Sequence, residues 1–119
     1  MFDLLDLDEK IWYLFNKNKI GNVLYDLSDE EQTMLETAIG LAGDSGMAGA
    51  ERLLEKVKRK RKLTKDEAAE ICQMATSFMP SAAKYIVKRM KETNNMDMIK
   101  DPMKDGNNAI RKIAHAYDL

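Results

Sequence analysis

The chain has 119 residues, of which 45% are hydrophobic and 33% charged, with a formal net charge of -1; it can close one core and is too short for two. That apolar content excludes a disordered chain, and no apolar run approaches the roughly 18 residues a membrane span needs. Acids in Met1-Phe2-Asp3-Leu4-Leu5-Asp6 where a secretory leader carries bases, a lone Cys72 and nine methionines place the expected location in the reducing cytoplasm.

In chain order, Ile11, Leu14 and Phe15 followed by Ile20, Val23, Leu24 and Leu27 repeat at helical spacing, with an interruption at Gly21. The first 27 residues therefore read as an N-terminal arm, one helix and a short second one. Ser28-Asp29-Glu30-Glu31 opens a third helix through a reciprocal capping box, with Leu35, Ala38, Ile39 and Ala42 inward. Glycines at 40, 43, 46 and 49 predict a tight bend into a fourth helix from about Met47 to Lys62, burying Ala50, Leu53, Leu54 and Val57. Thr64-Lys65-Asp66-Glu67 repeats the capping box and starts a fifth helix with Ala68, Ile71, Cys72, Ala75 and Phe78 inward. Pro80-Ser81 predicts a new start, because proline is tolerated in a first turn and not in an interior; Ala82, Tyr85, Ile86 and Met90 line this sixth helix, which frays at Asn94-Asn95. A short turn with Met96 and Ile99 and a last helix from about Asn107, burying Ile110, Ile113, Ala114 and Tyr117, complete the chain.

Period-two alternation and hairpin signals are missing. The predicted fold is all-α, a compact single domain over 1–119 of about six to seven short helices. Its parts are the N-terminal arm and helices (1–27), a first hairpin (28–62), a second hairpin (63–95) and a C-terminal turn and helix (96–119). A shift of 36 residues aligns the two hairpins without gaps: Leu27-Ser28 meets Leu63-Thr64, Glu31 meets Glu67, Leu35 meets Ile71, Ser45 meets Ser81 and Leu54 meets Met90. Such an offset is the mark of stacked helical repeats, and it is also what two capped amphipathic helices give by themselves.

Charge is distributed unevenly. Residues 1–55 hold four bases against twelve acids, a net of -8, and residues 56–119 a net of +7. The halves can attract each other within the fold, copies can associate head to tail, or the basic half can face an acidic partner. The densest run is Lys56-Val57-Lys58-Arg59-Lys60-Arg61-Lys62 followed by Lys65, and Lys84, Lys88 and Arg89 extend it from the next hairpin. The same cations also suit a helix end, where they oppose the carbonyl dipole and Glu55 pairs with Arg59 at i, i+4. Leu63–Glu92 further offers a helix-turn-helix reading, with small residues and bases on its second helix, although Met79-Pro80 replaces the usual glycine turn.

Trp12, Tyr13 and Phe15 cannot all lie on one buried face, which leaves Trp12 or Tyr13 as an anchor for an apolar contact or under the N-terminal arm. That arm, with Phe2, Leu4, Leu5 and Leu7 among Asp3, Asp6 and Asp8, is itself a candidate protein contact.

Catalytic chemistry is poorly supplied. His115 is the single histidine, Cys72 falls among Ala68, Ile71 and Ala75 as a small hydrophobe, and the two cannot make a zinc site. The glycine series lacks the Gly-Lys-Ser/Thr ending of a phosphate loop, and Asp97, Asp101 and Asp105 lack calcium-loop spacing. The expectation is a non-catalytic helical binding protein without cofactor or metal. It would be an inhibitor, adaptor or assembly factor of the kind viruses, plasmids and bacterial regulatory systems encode. It would dock an acidic protein surface on the ridge Lys56, Lys58, Arg59, Lys60, Arg61, Lys62, Lys65, Lys84, Lys88 and Arg89, with Trp12 or Tyr13 as anchor. The alternative is a nucleic-acid-binding domain using that ridge on phosphates, and self-association is a further option.

Overall fold

Two reciprocal capping boxes set the frame of the fold. The computed structural model describes Ile11, Lys19 and residues 21–119. Among these residues a 3-10 turn at Val23–Asp26 precedes four α-helices: α1 (Asp29–Asp44), α2 (Ala50–Lys58), α3 (Lys65–Thr93) and α4 (Pro102–Ala116), with no strand. The N-terminal arm, the predicted helix around Ile11–Phe15 and both Trp12 and Tyr13 lie outside the described residues.

At the start of α1 the Glu31 amide donates to Ser28 Oγ at 3.1 Å while the Ser28 amide donates to Glu31 Oε1 at 2.8 Å. Thr64 and Glu67 repeat the arrangement at the start of α3, at 2.9 and 3.1 Å. Each box satisfies two amides that helical bonding leaves open, and each is preceded by a buried leucine, Leu27 and Leu63.

Among the described residues four α-helices stand against the six to seven expected of the whole chain: the first predicted helix falls on residues outside the description, the short second is the 3-10 turn Val23–Asp26, and two others are merged in α3. The predicted fifth and sixth helices are one 29-residue helix with Pro80 inside it. An interior proline removes a backbone donor and costs roughly 3 kcal/mol relative to alanine. Here the carbonyl left without its donor belongs to Thr76, and Thr76, Ser77, Pro80 and Ser81 are all exposed, so water reaches it. On the opposite side the stripe Ile71, Ala75, Met79, Ala82, Ile86 and Met90 stays buried without a phase break. A break at Pro80 would turn half of that stripe out of the core, at about 1.5–3 kcal/mol for each large side chain lost. The second hairpin, 63–95, is therefore a single helix, and the helix-turn-helix reading loses its turn. The 36-residue correspondence holds from the capping boxes as far as Asp44 and Pro80 and ends there, since α1 stops at Asp44 where α3 continues past Ser81.

α1, α3 and α4 pack mutually, with α2 folded back on α1. Met34, Leu35, Ile39, Leu53, Val57, Ile71, Met79 and Ile113 fill the middle. The turn between α1 and α2 uses Gly46 and Gly49 with φ of 88° and 81°, a left-handed conformation that glycine adopts without penalty. Gly40 and Gly43 are part of α1, not of the bend.

α4 begins earlier than the predicted Asn107. Asp101 caps it by accepting from the Lys104 amide at 3.2 Å, and Pro102 occupies the first turn. Asp105-Gly106 is therefore helical, and Gly106 is buried against α3: a Cβ there would stand 2.8 Å from Met79 Cγ and overlap the sulfur. Several expected core residues sit at its edge. Leu54, Cys72, Phe78, Ile110, Ala114 and Tyr117 are half-buried, and Tyr85 is exposed because the inner stripe of α3 passes through Ala82 and Ile86 on either side of it.

Candidate partner-binding surface

The basic run ends α2 and forms the loop into α3, and its local geometry is a helix stop. The Lys60 amide donates to the Val57 carbonyl at 3.1 Å, the Arg61 amide to the Lys56 carbonyl at 2.9 Å, and Lys60 has φ of 52°. This is the paired closure that ends a helix on a left-handed residue, and it stops α2 at Lys58 rather than the predicted Lys62. Lysine there gives up the conformational ease glycine would have, and its position is secured from outside the helix.

Three buried or half-buried side chains grip the backbone on both sides of that stop. Gln32 Nε2 donates to the Val57 carbonyl at 2.9 Å. Asn22 Nδ2 donates to the Lys60 carbonyl at 2.9 Å, while its Oδ1 accepts from the Leu24 amide at 3.0 Å. The Tyr117 hydroxyl donates to the Leu63 carbonyl at 3.0 Å. The loop carbonyls are thereby turned toward the body of the protein, and Lys58, Arg61, Lys62 and Lys65 are exposed.

The cations of the run divide into two kinds. Lys56 is not part of a free face, because its ammonium binds Glu67 in the capping box of α3, together with Arg52 at 2.8 Å. Glu67 is buried, and the Lys56 hydrogen bond, the Thr64 amide and Arg52 together hold its carboxyl down at about 2. Arg59 binds Glu55 one turn away. Lys60 lies 5.3 Å from the centroid of the Tyr25 ring, which Lys19 approaches at 5.8 Å. Among the described residues no acid is ion-paired with Lys58, Arg61, Lys62 or Lys65. Asp29, Glu30 and Glu36 of the acidic half do not reach any of them. Besides the Glu55–Arg59 pair, that half reaches the basic half through Glu31, whose Oε1 takes the Lys112 ammonium at 2.7 Å. Burial acts to raise the Glu31 pKa, and Lys112 with the Ser28 amide and hydroxyl outweighs it, so the net displacement is downward.

Arg52, Glu55, Lys56, Arg59, Arg61 and Lys62 border an open cleft of about 730 Å³. Lys84, Lys88 and Arg89 do not join it. They stand on the far half of α3, and at 1.5 Å per residue Lys84 is about 28 Å along the axis from Lys65. Lys88 there lies 3.9 Å from Glu92, and Arg89 stacks on Tyr85 at 6.0 Å. The ridge expected from the sequence is two separate basic surfaces, divided by a helix that does not break at Pro80.

Reading the sequence missed Glu67, Arg52, Gln32, Asn22, Tyr25 and Tyr117 as parts of this surface. Glu67 alone carried a signal, as the third residue of a capping box facing a lysine-rich run. Cys72 is half-buried with its thiol 3.8 Å from the Ile110 carbonyl, and burial pushes its pKa up. His115 is exposed. No group of three potential metal ligands occurs among the described residues, and no helix there is long and apolar enough to cross a membrane. Comparison with protein-family models, with curated proteins and with solved structures finds no match to this chain.

Proposed function

We propose that the protein is a non-catalytic helical binding protein that acts by stoichiometric contact with an acidic surface of a partner protein, seated on the cationic loop around Lys58, Arg61, Lys62 and Lys65. The observation that carries this reading is the bracing of that loop. Gln32, Asn22 and Tyr117 hold the carbonyls of Val57, Lys60 and Leu63, while Lys58, Arg61, Lys62 and Lys65 form no ion pair with an acid of the described residues. Ordering a flexible lysine-rich loop on binding costs affinity, and a loop fixed beforehand avoids part of that cost. Unpaired cations on a fixed backbone also accelerate encounter with an acidic surface. An inhibitor, adaptor or assembly factor fits such a contact.

The test compares the native chain with a variant carrying Lys58→Ser, Arg61→Ser, Lys62→Ser and Lys65→Ser, both titrated with random duplex and single-stranded oligonucleotides at two salt concentrations and both used to capture proteins from the native host. The proposal expects weak oligonucleotide binding and a protein retained by the native chain and lost from the variant. Tight oligonucleotide binding with a steep salt slope, abolished in the variant, would assign the loop to phosphates instead.

A further inference from the structure

Arginine is concentrated at one place on the surface. The chain has five arginines, and three of them, Arg52, Arg59 and Arg61, border the open cleft of about 730 Å³ beside the end of α2. Arg52, Glu55, Lys56 and Arg59 recur at helical spacing and so share one face of α2 and its cap, while Arg61 and Lys62 come from the loop that follows. The loop side is fixed, because the Arg61 amide closes the helix on the Lys56 carbonyl at 2.9 Å and Asn22 holds the Lys60 carbonyl.

Glu55 orients one of these guanidinium groups. It accepts from Arg59 Nε, and the two terminal amino groups of Arg59 make no hydrogen bond among the described residues. A guanidinium held at Nε still offers its terminal edge as a two-pronged donor, a shape that matches two oxygens of one phosphate. Arg61 and Lys62 form no ion pair among the described residues. Five cations line the cleft against Glu55 and, behind Arg52 and Lys56, the buried Glu67, which leaves three positive charges in excess. A carboxylate would answer one of them. A phosphomonoester, with a charge of about -1.5 to -2 and three acceptor oxygens, answers most of the excess from a single side chain. A nucleic-acid phosphodiester carries one charge per phosphate and matches the cleft less well.

We infer that the cleft between α2 and the loop before α3 takes a phosphorylated serine, threonine or tyrosine side chain of the partner protein, its phosphate gripped by Arg59 and Arg61 with Lys62 beside them. This rests on the docking face proposed above and specifies what the acidic partner presents to it.

Peptides of the form Gly-Glu-X-Glu-Gly, with X as phosphoserine, serine or glutamate, titrated into the full native chain test the assignment. The phosphoserine peptide should bind more than about tenfold more tightly than the glutamate peptide, and inorganic phosphate should displace it. Arg59→Lys with Arg61→Lys keeps the charge of the cleft and removes the two-pronged donors, so this variant should bind both peptides alike. Both arginines are exposed, and circular dichroism checks the fold of the variant; if it does not fold, Arg61→Lys alone should reduce the preference. Equal affinity of the native chain for the phosphoserine and glutamate peptides, or no binding of either, overturns the inference. So does a preference that survives the lysine substitutions, or a random oligonucleotide that occupies the cleft more tightly than the phosphoserine peptide. Phosphatase treatment of host extract separates this claim from the docking face itself. A partner lost after treatment is the expected result, and a partner retained equally before and after it removes the phosphate while leaving the docking face in place.

Discussion

The Lys56 ammonium, the first cation of the basic run, lies against the buried carboxylate of Glu67, the residue that closes the capping box of α3. One carboxylate therefore caps a helix with one oxygen and joins α2 to α3 with the other. The same contact takes Lys56 out of the unpaired cations of the run, which leaves Lys58, Arg61, Lys62 and Lys65 exposed without an ion pair among the described residues.

This contact makes stability depend on pH in a definite direction. The Glu67 carboxyl is held at about 2 in the folded protein against an ordinary value of about 4.3 in the unfolded chain, so its contribution is complete above the unfolded value and is lost as pH falls toward 2. Allowing for solvent screening, about 1–2 kcal/mol should disappear across that window. Glu31 is displaced the same way and adds to the loss. Denaturant melts of Glu67→Gln from pH 7 to pH 2.5 should show lower stability at pH 7 and a flatter acid limb than the native chain.

The close approach of Gly106 to Met79 sets the spacing of α4 on α3. Alanine at a helix interior is normally favoured over glycine by about 1 kcal/mol. At position 106 the new methyl would collide with the Met79 side chain, and overpacking of this kind costs about 1–3 kcal/mol. Gly106→Ala should therefore lower stability by about 1 kcal/mol. In a Met79→Ala background the same change should be neutral or stabilising, a coupling that a double-mutant cycle measures.

Pro80 offers a direct check on the continuity of α3. In a single helix Pro80→Ala restores the missing hydrogen bond to the Thr76 carbonyl, and the variant should gain about 1–2 kcal/mol after the unfolded chain's added freedom is counted. Were residue 80 the first turn of a separate helix, the substitution would bring no such gain. Thermal melts of the two proteins decide between these outcomes.

Capping at the two boxes should respond in parallel. Ser28→Ala and Thr64→Ala should each cost about 1 kcal/mol. A pair of urea titrations, with midpoints compared at unchanged slope, checks this.

The parts of this architecture that rest on short-range chemistry were readable from the residues. Both capping boxes, the helical class and most of the inner faces follow from spacing and side-chain type alone. Pro80 was misleading because the local rule for proline competes with the register of Ile71, Ala75, Met79, Ala82, Ile86 and Met90, and the register continues in phase through it. The last helix was expected only from about Asn107, beyond Gly106, because a buried glycine inside a helix has its cause in another helix, at Met79. The basic loop was legible as a lysine- and arginine-rich run, but the contacts that fix it come from Asn22, Gln32 and Tyr117, which lie 38, 25 and 54 positions from the carbonyls they bind. Such long-range partners leave no trace in local pattern.

The most direct test of the proposed docking face is quantitative capture from extract of the native host, with and without nuclease treatment and at two salt concentrations, using the native chain and the Lys58, Arg61, Lys62 and Lys65 serine variant. A protein held one-to-one by the native chain, released by salt and not held by the variant, is the predicted result. Equal retention by both chains, or retention only of nuclease-sensitive material, would contradict it.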